Sequence, residues 1–189
     1  MALPDEVTTG RLMLAEYERI KEEQRTRIGF RDNLLYATFA AMAGVIAVAV
    51  SAQIAYYLLL LPPISAILGW SYLVNDEKIS SIGRYVRDEL APRLSAHVAG
   101  QTPTPMPVFG WEIAHRADHR RVPRKYLQLA ADLLTFCGAP LGALVVYWCN
   151  GPYEAVLVIV SIVEAAVVGL LAAQIAGYAD LDRMDASGG

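Results

Sequence analysis
The residue with the clearest chemical potential is a carboxyl group in apolar surroundings. Glu164 follows Tyr153 by 11 positions. In a helix that is roughly 16 Å along the axis, near the middle of an apolar layer about 30 Å thick. Charge at that depth is costly, and such acids usually face a bundle interior or water. No Lys or Arg lies within the apolar stretches, so an ion pair is not available there. Glu164 is therefore expected either to be protonated and hydrogen-bonded or to contact water or a cation. Ser65 is its best match in depth, at roughly 13 Å from the corresponding end of its own helix. Asp132 sits only about 9 Å from the charged end of its helix, against about 21 Å for Glu164, so these two carboxyls are not expected to pair.

Other reactive side chains offer less. Cys137 and Cys149 stand 12 residues apart on one expected helix. That is roughly 18 Å, too far for a bridge, and they read as packed thiols. Glu112, His115 and His119 have i, i+3, i+7 spacing and could share a helical face. A metal site needs a second set of ligands, and the only other histidine is His97. No metal, cofactor or catalytic group is therefore assigned, and an enzyme is not expected.

The elements that would position these residues are apolar helices. Hydrophobic residues make up 55% of the 189-residue chain. They gather into two blocks, from Leu34 to Val74 and from Leu127 to Tyr178. Each block is too long for one span of about 20 residues and suits two. The expected fold is all-α: an integral membrane protein of four helices in two transmembrane hairpins, with amphipathic cytosolic helices. Spans are expected at 33–50, 54–74, 126–148 and 153–178. The turn Ser51-Ala52-Gln53 joins the first pair and Cys149-Asn150-Gly151-Pro152 the second. In the latter, Asn-Gly tolerates left-handed backbone and Pro152 suits a first helical turn. A soluble bundle would need a polar face on each helix, and these have none. The first 30 residues, rich in Glu and Arg, do not read as a secretory signal, so the first span is expected to be retained.

Charge orients the spans. Both hairpin turns lack Lys and Arg. All 16 basic residues fall in the N-terminal segment (Arg11, Arg19, Lys21, Arg25, Arg27, Arg31), the middle loop (Lys78, Arg84, Arg87, Arg93, Arg116, Arg120, Arg121, Arg124, Lys125) or the tail (Arg183). That side is expected to be cytosolic, placing both termini inside a plasma (inner) membrane. Tyr56, Tyr57, Tyr147, Trp148 and Tyr153 would mark one interface, and Tyr36, Trp70, Tyr72, Tyr126 and Tyr178 the other.

Outside the spans, the expected segments are 1–32, 75–125 and the tail 179–189. Met13, Tyr17, Ile20, Gln24 and Ile28 form a narrow stripe within a charged helix, suited to a partner helix or to a simple extension of the first span. A second helix is expected to start after Asn75-Asp76, with Ile79, Ile82, Val86, Leu90, Leu94 and Val98 on one face and a kink at Pro92. Its apolar face needs cover, from the N-terminal helix or the membrane surface. Residues 100–110, with Pro103, Pro105 and Pro107, read as a stiff linker between two helix-plus-hairpin halves. The cluster Arg116, Arg120, Arg121, Arg124 and Lys125 suits anionic lipid headgroups or topological anchoring, and nucleic acid is not an expected partner.

Small residues recur every fourth position at Ser161, Ala165, Gly169, Ala173 and Gly177, a ridge that permits close helix approach. Ala40/Gly44 and Gly138/Gly142 are expected as complementary faces, with Glu164 on the shoulder of the ridge. Pro62, Pro63 and Pro140 are expected to bend their helices.

The strings Tyr17-Glu18-Arg19-Ile20-Lys21-Glu22-Glu23-Gln24, Arg31-Asp32-Asn33-Leu34-Leu35-Tyr36 and Asn75-Asp76-Glu77-Lys78-Ile79 are similar to those of small, poorly characterised bacterial multi-pass membrane proteins. The layout resembles membrane effectors of bacterial conflict systems. That resemblance implies an effector or signalling role. The cytosolic stripes, the small-residue ridge and the buried acid point to a non-enzymatic membrane module that oligomerises and perturbs the bilayer when a cytosolic protein partner acts on its helices. The alternative is a proton- or cation-conducting channel or transporter using Glu164.

Overall fold
The computed structural model describes residues 8–99 and 121–187, with side chains described for 8–97 and 126–178. Among these the chain is helical, with no strand. The elements are α1 (Thr9–Ala52), a 3-10 helix (Ala55–Leu60), α2 (Leu61–Tyr85), a π turn (Val86–Leu90), α3 (Ala91–Ala99), α4 (Arg121–Leu133), a second π turn (Leu134–Gly138), α5 (Ala139–Asn150) and α6 (Ala155–Ser187). Four helical stretches are long and apolar enough to cross a membrane: Thr9–Ala52, Ala55–His97, Tyr126–Asn150 and Ala155–Tyr178. In the last, only 17% of the most apolar window is buried. Val156, Ile159, Ile162, Val163 and Leu170 are all exposed. So much outward apolar surface is stable only in an apolar solvent, as in a lipid layer.

Several expected boundaries move. The charged N-terminal helix and the first apolar span are one helix of 44 residues. No helix starts at Asn75-Asp76, because α2 runs through them unbroken. Neither residue competes for the backbone strongly enough to end a helix whose neighbours on both sides favour it. Pro62 and Pro63 occupy the first turn of α2, where α2 itself offers no carbonyl to their missing N–H groups; the bond lost is that of the Leu59 carbonyl in the preceding 3-10 helix. Pro92 and Pro140 are inside continuous helical chain, and each directly follows a π turn and one alanine. The wider turn accommodates the bond that each proline cannot make to the carbonyl four residues back. Gly151 is extended (φ −84°, ψ 164°) rather than left-handed, and α6 begins at Ala155, three residues beyond Pro152. The left-handed residue is Gln53, at φ 59°.

The chain divides into two compact units, and neither is a sequential half. In one, the described parts are 8–30 and 75–99. Here Gln24 Nε2 donates to the Ile79 carbonyl (3.2 Å), Tyr85 Oη–H to Glu16 Oε1 (2.6 Å) and Arg27 Nη1 to Asn75 Oδ1 (3.5 Å). Val86, Leu90 and Leu94 are buried, so this apolar face is covered.

The other unit comprises Arg31–Val74 with the chain from Val122 onward. Its core has three layers. Leu34, Tyr72, Phe136, Cys137, Val168, Leu171 and Ile175 pack together at one end, bringing all four apolar helices into contact. Met42, Leu61 and Ala143 form the middle. Leu59, Leu144 and Tyr147, with Leu157 and Ala165 against them, form the end nearest the two turns. From these layers α2 and α6 run parallel to each other and antiparallel to α1 and α5.

Candidate functional site
The buried face of α6 reads Leu157, Ser161, Glu164, Val168, Leu171, Ile175 and Tyr178. These alternate by four and three residues, the spacing that keeps a seam facing its neighbours over many turns. Glu164 is therefore in the packed seam rather than on its shoulder. It is half-buried, and its Oε2 is buried with no hydrogen-bond partner. The expected small-residue ridge splits instead. Ser161 is fully buried and Ala165 half-buried, while Gly169, Ala173 and Gly177 are exposed. A Cβ added at Gly169 or Gly177 would meet nothing within 4 Å. The reason is angular: a four-residue repeat drifts around a 3.6-residue helix by about 40° per step, so one ridge cannot stay against one neighbour. Ala40, Gly44 and Gly142, expected as complementary faces, are also exposed, and Gly138 lies against its own helix's Leu134.

Ser65 lies on the buried face of α2, fully buried, and its Oγ has no hydrogen-bond partner either. The expected Ser65–Glu164 hydrogen bond is thus not made. The two nevertheless lie on facing surfaces. A Cβ built on Gly69 would fall 2.9 Å from Leu171 Cδ2 and 3.0 Å from Phe136 Cδ1, so Gly69 is where side chains of α6 and the second π turn pack onto α2. Ser65 is one turn from Gly69 and Glu164 two turns from Leu171, both on the side of the turns. With parallel axes at 1.5 Å per residue they differ in level by about 4.5 Å, less than one turn.

No family model, curated protein or solved structure matches this chain. Its chemistry must be read from its own side chains.

Two other buried hydroxyls show what a satisfied group looks like here. Thr38 Oγ1–H donates to the Leu34 carbonyl at 2.7 Å. Ser161 Oγ–H donates to the Val158 carbonyl (2.8 Å) and accepts from Trp148 Nε1 (3.0 Å). The Trp148–Ser161 contact had no signal in the sequence, since nothing there orients the indole. Nor did the α6 seam, since apolar residues cover every side of this helix in the sequence.

Asp132 is half-buried in α4, one turn before Phe136. The layer of Phe136, Cys137 and Val168 separates its level from that of Glu164. Cys137 Sγ–H points at the Val168 carbonyl (4.0 Å), and Cys149 is exposed. Among the described residues no three His, Cys, Asp or Glu side chains form a metal-binding group. Arg116 and Arg120, with Glu112, His115 and His119, lie outside the described residues, as do the side chains of Arg121, Arg124 and Lys125. A shallow groove of about 650 Å³ lies among Arg19, Glu22, Glu23, Thr26, Arg27, Phe30 and Asn75. Arg27 is held there by Glu23 at 2.7 Å, and two arginines balance two glutamates, so the groove favours neither sign of ligand.

Proposed function
We propose that the chain is a non-enzymatic, four-pass membrane protein that self-associates and works as an effector or signalling module. One observation carries this reading: Gly169, Ala173 and Gly177 face away from the bundle, with open space over both glycines. In lipid, helices associate through close packing of small residues, because apolar surface alone has no preference for protein over lipid tails. The proposed topology places the charged segments and both termini in the cytosol, from the one-sided distribution of the 16 basic residues. The membrane is a bacterial inner membrane, the unit of 8–30 and 75–99 is the surface for a cytosolic protein partner, and Arg116, Arg120, Arg121, Arg124 and Lys125 meet anionic headgroups. The test is native mass spectrometry of the purified protein in detergent, paired with dye leakage from liposomes. Wild type should be oligomeric and Gly169→Ile/Gly177→Ile shifted to monomer. A monomeric wild type that leaves liposomes intact, with or without candidate partners, would sink the proposal.

A second reading is favoured by a different observation, the unpartnered Oε2 of Glu164 and Oγ of Ser65. Buried polar atoms normally have partners, and those that lack them ask for a proton, a water or an ion. On this reading the bundle conducts protons or cations through Glu164. Proteoliposome flux of wild type against Glu164→Gln separates the two readings.

A further inference from the structure
Three oxygen groups that need partners occur at neighbouring levels of one bundle. Ser65 Oγ is wholly buried and unpartnered, and Glu164 Oε2 is buried and unpartnered on the facing seam. The third is on the main chain. The carbonyl of Leu59 would accept from the N–H three or four residues on, but those residues are Pro62 and Pro63, which have none. Leu59 is buried, and Ala165, adjacent to Glu164, packs against its cluster. A carboxylate, a hydroxyl and a peptide carbonyl are hard oxygen ligands, suited to a hard cation and not to a thiophilic or imidazole-seeking metal. Charge then selects the valence. One carboxylate with two neutral oxygens, and no Lys or Arg in the apolar stretches 34–74 and 127–178, neutralises a single positive charge. A divalent ion would leave an uncompensated charge in a poorly solvated interior.

We propose that Glu164, Ser65 and the Leu59 carbonyl bind one alkali cation between α6 and the join of the 3-10 helix with α2. The site deepens the second reading above by naming its ligand, and it stands or falls separately from conduction. The cation replaces the proton of the Glu164 carboxyl, and the Ser65 hydroxyl and Leu59 carbonyl supply the oxygens that water would otherwise provide. The Leu171 side chain seated on Gly69 sets the spacing of the two helices one turn away.

A hydrophobic carbodiimide adds to undissociated carboxyl groups in apolar surroundings, so it reads whether Glu164 holds a proton or a metal ion. The full chain in detergent micelles is treated in sodium chloride or in choline chloride of equal ionic strength, and labelling of the Glu164 peptide is followed by mass spectrometry. Sodium at ten times its dissociation constant should slow labelling about tenfold. Measured against its own labelling in choline, Ser65→Ala should raise the sodium needed for protection about tenfold, the effect of losing one ligand hydrogen-bond equivalent. Equal labelling in the two salts overturns the site, as does no labelling in either, or protection unaffected by Ser65→Ala. Sodium protection without cation flux in liposomes keeps the site and removes the conducting reading. Flux without protection removes the site and keeps that reading.

Discussion
Gly69 of α2 and Leu171 of α6 approach so closely that a Cβ on Gly69 would lie 2.9 Å from Leu171 Cδ2. The Phe136 ring closes the same space from α5's side of the bundle, at 3.0 Å from that position. Phe136 is fully buried and also packs on the Tyr72 ring, with centroids 5.0 Å apart, so it has little room to move. Gly69→Leu should therefore destabilise the bundle by about 1–3 kcal/mol, the usual cost of overpacking. Gly142→Leu, where nothing lies within 4 Å, is the control and should be close to neutral. Thermal unfolding in detergent, monitored by near-ultraviolet circular dichroism, distinguishes them; equal melting of both variants would show that the close approach is absent.

Trp148 and Ser161 tie α5 to α6 beside their connecting turn, where Tyr147 Oη–H also donates to the Pro152 carbonyl (2.9 Å) and Tyr153 Oη–H to the Trp148 carbonyl. Ser161→Ala should cost about 0.6–1.7 kcal/mol, the range for hydrogen bonds between helices in lipid. Trp148→Phe should cost little more once Ser161 is already alanine. A double-mutant cycle on unfolding free energy measures this, and additive losses would show that the two side chains do not interact.

Tyr85 should titrate late. Its phenol donates to the Glu16 carboxylate at 2.6 Å, and that bond, followed by desolvation and the negative charge of Glu16, holds the phenol above its ordinary value of 10.0. A raised value means that the folded state favours the neutral phenol. The contribution to stability is therefore fully present below the unfolded value and is lost as pH rises through the folded one. Ultraviolet titration of phenolate absorbance should show a late component that is lost in Tyr85→Phe and moved downward in Glu16→Gln. An unchanged titration in Glu16→Gln would exclude the contact.

Phe136 should be among the costliest truncations. It is fully buried where α2, the second π turn and α6 meet. Phe136→Ala should destabilise by about 3–5 kcal/mol if the cavity does not collapse. Leu134→Ala is the natural comparison, being 73% exposed two residues away, and should cost under about 0.5 kcal/mol. Similar losses at the two positions would show that the face of this π turn is assigned to the wrong side.

The number and approximate extent of the apolar helices were legible in the sequence, because length and hydropathy are local properties summed along one segment. So was the burial of Val86, Leu90 and Leu94, since their spacing puts them on one face whatever covers it. Helix ends were not legible where two signals competed. Asn75-Asp76 looks like a cap in isolation, yet a helix favoured on both sides runs through it. Pro92 and Pro140 look like breaks, yet a single wider turn before each keeps the helix going.

The functional residues divide along the same line. That Glu164 is an acid in an apolar run is a statement about sequence alone, and it already marks the position as chemically expensive. Its seam neighbours, and the split of the ridge into buried Ser161 and outward Gly169 and Gly177, needed the tertiary structure. A helix presents every side to something, and only the placement of its neighbours decides which side is core. The same holds for Ser65. Its hydroxyl could have turned back to its own helix, as Thr38 does, and only the folded bundle shows it buried without a partner.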